Sequence, residues 1–232
     1  KILSIHECFD IGNTTRTALM QYWRLPEGGP YCGNDDVYSA GNGSIMRLAP
    51  IPMFYHDDLD KAIEHAGLSS KITHGYVECV DGCKFLSEIL WKLINGYNQL
   101  NVAPDSVLVH MDNLGSVFFK TENKFCTNIQ TIVNGSLFHK TVDTIRGSGY
   151  VVDSLEASLY CFCKTKTFED AVLMAVNLGD DADTTGAVTG QIAGAYYGYN
   201  AIPQHWKDKL RHHDMIVELA EKIATINVEK AL

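Results

Sequence analysis

The stretch 177–198, NLGDDADTTGAVTGQIAGAYYG, constrains the chain more than any other, because it sets glycine at every fourth position of a segment that otherwise reads as helix. Gly186, Gly190, Gly194 and Gly198 would fall on one face, forming a bare stripe on which a neighbouring helix backbone can lie closely. Helical glycine costs roughly 0.8–1 kcal/mol against alanine, so the interior ones lose about 3 kcal/mol that close packing has to offset. A membrane helix of the GxxxG kind is the competing reading. The apolar run is well short of the ~20 residues a span needs, and Asp, Thr and Gln interrupt it. A buried helix of a soluble protein is the better reading.

At the head of that helix stand Asp180, Asp181, Asp183, Thr184 and Thr185. Positions i and i+2 do not share a helix face, so Asp181 and Asp183 converge on one point only if Asp181 lies in the turn before the helix. Gly179 permits such a turn. Carboxylates and a hydroxyl are hard oxygen ligands that suit Mg²⁺, Mn²⁺ or Ca²⁺ rather than zinc. Acidic residues also cap helices and complement their dipole, and spacing alone leaves both roles open.

Elsewhere the periodicity is helical. Helices are expected over 13–25 with Asn13 or Thr14 as cap, 44–54 with a kink or stop at Pro50 and Pro52, 59–73, and 76–95 with Gly96 as terminator. Further helices are expected over 125–137, 150–162, 168–178 with Thr167 as cap, a short one from Pro203, and 214–224. The stretch 98–120 reads as strand or helix, with helix preferred because its surroundings are helical. Glycine, proline, asparagine and aspartate make 27–37 a loop. With no repeat and no linker, 232 residues are expected to form one all-α, single-domain helical bundle over 1–232.

A formal net charge of −9 argues against nucleic acid and anionic membrane as partners, and no apolar run marks a signal peptide or a span. Seven cysteines without a CxxC are an odd number, so at least one is unpaired or bridges chains. Reduced buried thiols in a cytoplasmic protein are the expectation, and Cys161 and Cys163 would face apart on their helix.

The extended string VNLGDDADTTGAVTGQIAGAYYG resembles the C-terminal signature of the ADP-ribosylglycohydrolase family, which includes the dinitrogen reductase activating glycohydrolases. Three further stretches match that family in the right order. They are Phe9-Asp10-Ile11-Gly12-Asn13-Thr14-Thr15-Arg16, then Gly41-Asn42-Gly43-Ser44-Ile45-Met46-Arg47 with Ala49-Pro50 after it, and Ser148-Gly149-Tyr150-Val151. The resemblance implies a compact helical bundle that removes ADP-ribose from a protein side chain or another acceptor, with two divalent cations, Mg²⁺ or Mn²⁺, at its centre.

Carried over position by position, Asp181, Asp183 and Thr184 match the C-terminal metal ligands, and Asp181 also stands among the catalytic residues. Asp180 is an extra carboxylate, read as cap or as support for the ligands. The resemblance makes Asp10 an acid or base at the ribose and Asn13 a partner of a ribose hydroxyl. By local chemistry alone Asp10 is equally a turn residue. Gly41, Asn42 and Gly43 would cradle a diphosphate with their backbone N–H groups, with Ser39 beside it, although a lone GNG is equally a turn. Arg47 is open between phosphate and a core carboxylate. His74, after Thr73, matches a family histidine near the diphosphate or ribose, and a packed structural histidine is the alternative. Tyr150 matches an aromatic near the released group, or else belongs to the core.

The chain departs from the family by lacking its opening Gly-Asp-Ala helix and its Thr-Asp-Asp motif. Asn34-Asp35-Asp36 lies on the wrong side of the Asp10 loop to stand in for the latter. Three ligands from one turn do not close two six-coordinate sites. The expectation is an N-terminally truncated member, either a fragment or alternative start of a longer enzyme or a chain completed by a companion, with apolar surface left open to association. The expected function is hydrolysis of an ADP-ribosylated protein or small molecule. The alternative is an inactive ADP-ribose-binding or crystallin-like structural relative.

Overall fold

Among the described residues the helix with the most buried positions is Val77–Ile94, on which Cys79, Cys83, Phe85, Leu86, Ile89, Leu90 and Leu93 are all inaccessible or nearly so. Their recurrence at three- and four-residue intervals produces a wide apolar face, and full burial of each large side chain is worth roughly 1.5–3 kcal/mol. Glu78 in the first turn and Lys92 in the last match the helix dipole, and Gly96 at φ 75° ends the element as expected.

The structure, a computed structural model, describes residues 10–96 and 121–230. In chain order the helices are α1 (Asn13–Arg24), α2 (Pro50–Phe54), α3 (Leu59–Lys71), α4 (Val77–Ile94), α5 (Thr127–Val133), α6 (Val151–Lys164), α7 (Phe168–Asn177), α8 (Ala182–Tyr197), α9 (Gln204–Lys207) and α10 (His213–Lys230). Among the described residues the only strand-like pairings are isolated bridges, Asn34 with His74 and Gly41 with Tyr150. The fold is all-α. The stretch 98–120, left between helix and strand by its sequence, lies outside the described residues, as do Cys8 and Phe9.

Helices α4, α6 and α8 touch one another and form the centre, with α3 laid along α4 and α7 along both α6 and α8. Leu155 and Leu159 of α6, Val188 and Ile192 of α8, and Ile129 and Ile132 of α5 join the α4 side chains in one core. By contrast α1 buries only Ala18 and leaves Leu19, Met20, Trp23 and the following Leu25 exposed. The six cysteines within the described residues are all free, and Cys161 and Cys163 are buried.

Several boundaries differ from the sequence reading for local reasons. The expected helix over 44–54 is two elements, a 3-10 helix Asn42–Arg47 and then α2, because Pro50 can open a helix but not continue one. The cap of α1 is Gly12, with no side-chain bond, rather than Asn13 or Thr14. Thr167 does cap α7, its hydroxyl accepting the Asp170 N–H at 3.0 Å. Among the described residues the glycine stripe of α8 is tight at one place only: a Cβ on Gly186 would lie 2.8 Å from Val176 Cγ1, whereas one on Gly190 would meet nothing within 4 Å.

Candidate functional site

Between α7 and α8 the chain reverses through two left-handed residues, Gly179 at φ 77° and Asp180 at φ 52°. Aspartate tolerates this conformation better than most side chains, which accounts for the extra carboxylate as a turn residue. It does not cap α8. Asp181 holds that position, yet its side chain makes no capping bond. Its backbone N–H instead donates to Gly147 O at 2.9 Å, and its carbonyl accepts the first helical bond from Thr185 at 3.0 Å. The Asp181 carboxylate is thereby turned out of the helix, so the capping role left open by the sequence does not apply to it.

That carboxylate is held from the far end of the sequence. Asn42 Nδ2 donates to Asp181 Oδ2 at 2.7 Å and lies 3.4 Å from Ser148 O. The Asn42 N–H donates to Gly149 O, and the Val151 N–H to Ala40 O, both at 3.0 Å, so a short two-stranded contact fixes the asparagine. Asn42 is buried, and a buried amide with its hydrogen bonds made holds its acceptor in one orientation. Asp183, in the first turn of α8, has its carboxyl held below the usual carboxylate range by the neighbouring Asp181 side chain first and then by the Thr184 N–H.

These groups share a cleft of 640 Å³ whose walls include Asp10, Gly41, Asn42, Gly43, His74, Asp181, Asp183 and Thr184. Eight of the positions singled out by sequence thus come together, although residues 10 and 181 lie far apart along the chain. Asp10 is exposed and adopts φ 49°, on the loop leading into α1. Thr14 and Thr15 line the cleft, whereas Asn13, expected at the ribose, does not. Its side chain sits at the exposed start of α1, one helical step away from the face that Thr14 and Thr15 present.

Two further positions fall outside the walls. Ser39 is buried beneath the glycine loop, where its carbonyl accepts the Gly41 N–H at 2.8 Å. Tyr150 points its hydroxyl away, donating to Glu78 Oε2 at 2.7 Å with Asn128 Nδ2 at 3.2 Å, while the preceding Gly149 lines the cleft. Burial and then the Glu78 bond push the Tyr150 phenol up, so it is a neutral donor. A cradle using all three amides of Gly41, Asn42 and Gly43 is also excluded, since the first two are already bonded within the fold.

Beneath the loop lies His74, 2% exposed, with its Nδ1 2.8 Å from Thr73 Oγ1. A Cβ on Gly43 would come within 2.8 Å of the imidazole Cε1, so glycine there is what lets the loop rest on the ring. Burial, and then the nearby Arg47 charge, lower the His74 pKa to about 4. Among the described residues Arg47 reaches no carboxylate. Its Nη1 donates to Ser69 Oγ at 3.1 Å and its Nη2 to Ser69 O at 3.1 Å and Thr73 Oγ1 at 3.0 Å. Sequence reasoning did not identify the holding role of Asn42, Ser148 and Gly147, because that role is set by contacts between distant segments.

The donor set fits a hard cation in kind: two carboxylates side by side with a hydroxyl at a helix mouth. It supplies only part of a six-coordinate shell, and among the described residues no cluster of three His, Cys, Asp or Glu side chains is arranged to hold a metal.

Comparison with known proteins gives a consistent result. Residues 3–231 match the sequence model of the family described as ADP-ribosylglycohydrolase. The chain is 41% identical over 216 residues to the ADP-ribosylarginine hydrolase Tri1 of Serratia proteamaculans, covering 93% of this chain and 54% of that protein. It is 31% identical over 216 residues to the ADP-ribosyl-[dinitrogen reductase] glycohydrolase of Rhodospirillum rubrum, covering 90% of this chain and 62% of the relative. A solved structure named as an ADP-ribosylglycohydrolase-related protein complex superposes with a TM-score of 0.72 at 31% identity, over 92% of this chain and 69% of the other. The chain therefore spans a little over half the length of the curated relatives it matches. On the family match over nearly all its residues, this chain belongs to the ADP-ribosylglycohydrolase family.

Proposed function

We propose that this chain carries the cleft, or the larger part of one, for hydrolysis of the bond joining ADP-ribose to a protein acceptor, with an arginine guanidinium as the acceptor class. The observation that carries the reading is the Asn42–Asp181 hydrogen bond, which sets Asp181, Asp183 and Thr184 in one cleft with Asp10. The acceptor class draws on two relatives named ADP-ribosylarginine hydrolase, at 41% and 38% identity.

In this reading the bond between the ribose anomeric carbon and the guanidino nitrogen breaks as the oxygen of a water bonds that carbon. One water proton passes to a carboxylate, and a proton is returned to the leaving nitrogen. Asp10, exposed at the cleft wall, is the acid or base. Asp181, Asp183 and Thr184 would hold Mg²⁺ or Mn²⁺, which when bound supplies polarisation of water and ribose hydroxyls. Asn42 orients Asp181, and the glycine loop with His74 offers donors to the diphosphate. Among the described residues no helix is long and apolar enough to cross a membrane.

The test is ADP-ribose release from an arginine-modified protein with Mg²⁺ or Mn²⁺ present. Asp183→Asn should lower the rate by about 10²-fold or more, the scale of losing one positioned charge at a reacting centre. Equal rates in the two proteins would remove Asp183 from the chemistry. The incomplete donor set favours one second reading, a chain that binds ADP-ribose without turnover. Calorimetric binding with no release by the wild type would select it.

A further inference from the structure

The hydrogen bonds around His74 form a directed chain. Arg47 Nη2 donates to Thr73 Oγ1 at 3.0 Å, and the same oxygen lies 2.8 Å from His74 Nδ1. A threonine hydroxyl has one proton to give. If His74 Nδ1 carried a proton, Thr73 Oγ1 would receive two donors while its own proton, on a residue 7% exposed, found no acceptor among the described residues. An unsatisfied buried donor costs about 1–3 kcal/mol, enough to decide between the two arrangements. In the other arrangement the Thr73 proton goes to Nδ1, and the imidazole proton must then sit on Nε2.

That nitrogen lies under the glycine loop, 3.4 Å from where a Cβ on Gly41 would stand and 3.1 Å from one on Gly43. The same side chain lines the cleft together with Gly41, Gly43 and Arg47. We infer that Arg47 and Thr73 are positioning residues that lock His74 as its Nε2–H tautomer, so that a buried neutral imidazole presents a fixed donor to an anionic oxygen in the cleft. That the oxygen belongs to the diphosphate of ADP-ribose rests on the function proposed above; the tautomer does not. Arg47 thus acts through a neighbour rather than as a direct phosphate ligand, with its Nη groups already engaged by Ser69 and Thr73.

Long-range ¹H–¹⁵N correlation spectra of the full, ligand-free chain report the tautomer directly, with His74 assigned by its loss in His74→Asn. The wild type should show protonation at Nε2. Thr73→Val, which removes the hydroxyl, should redistribute the proton between the two nitrogens and weaken ADP-ribose binding about tenfold, whereas Thr73→Ser should restore both. A predominantly Nδ1-protonated wild type overturns the inference without recourse to any variant. So does a Thr73→Val protein that folds and keeps both the wild-type spectrum and affinity. Absence of ADP-ribose binding by the wild type removes the ligand half of the inference together with the proposed function, and the spectrum still decides the tautomer.

Discussion

The glycines of α8 and those beside His74 respond to different neighbours. In α8 the four-residue repeat is regular, yet among the described residues nothing lies within 4 Å of a Cβ on Gly190, and one on Gly194 would reach only Phe168, at 3.9 Å. Beside His74 there is no repeat at all, but a Cβ on Gly75 would lie 2.3 Å from Gly33 O, and one on Gly33 would lie 2.5 Å from His74 N. The first set faces side chains that can rotate away; the second faces backbone that cannot. Spacing marks which glycines share a face, while the chemistry of the opposing atom decides which of them the fold needs.

Substitutions separate the two sets. Gly75→Ala should destabilise the protein by about 3 kcal/mol, since neither backbone can yield without parting the Asn34–His74 bridge, and a lowered denaturant midpoint at unchanged slope would show it. The same floor should be sensitive to acid through His74. Its folded pKa of about 4 lies below the ordinary value of 6.5, so the unfolded chain takes up the proton first. This contribution to stability should be full above pH 6.5, fall as pH drops towards 4, and level off below that, a loss on the order of 3 kcal/mol. His74→Asn should flatten that part of the pH–stability curve; an unchanged curve would mean that another group carries it.

Smaller effects are expected in α8. Gly186→Ala should cost about 1 kcal/mol, because Val176 Cγ1 has to move. Gly190→Ala should instead stabilise by roughly 0.5–1 kcal/mol, since alanine is the better helix former and nothing obstructs it. A destabilised Gly190→Ala protein would break the distinction between the two sets.

Much of the fold was legible because α3, α4, α6 and α7 carry their apolar residues at helical intervals and end on interpretable residues such as Gly96 and Thr167. The acidic head of α8 was legible as a motif but not as geometry. Only the structure shows that Asp181 leaves the capping bond unmade and turns its carboxylate to Asn42. Tyr150 and Ser39 lie near enough to share a motif with cleft residues, yet alternation along an extended segment sends neighbouring side chains to opposite sides, as Gly149 and Tyr150 illustrate. Arg47 could not be resolved from sequence because its partners, Ser69 and Thr73, are neutral and carry no pattern.

The contact between Asn42 and Asp181 joins residues 139 positions apart. Neither half of the chain contains the cleft by itself, so the pocket comes into being with the closing of the fold and is lost with its opening. A molecule that occupies it binds only the closed chain and raises the unfolding free energy, by about 2.7 kcal/mol at a hundredfold excess over its Kd. Thermal shift with ADP-ribose is therefore a measure of pocket integrity even for variants with no turnover. Cleavage of the backbone in 97–120, if the pieces separated, would leave two fragments that each lack one partner of that bond.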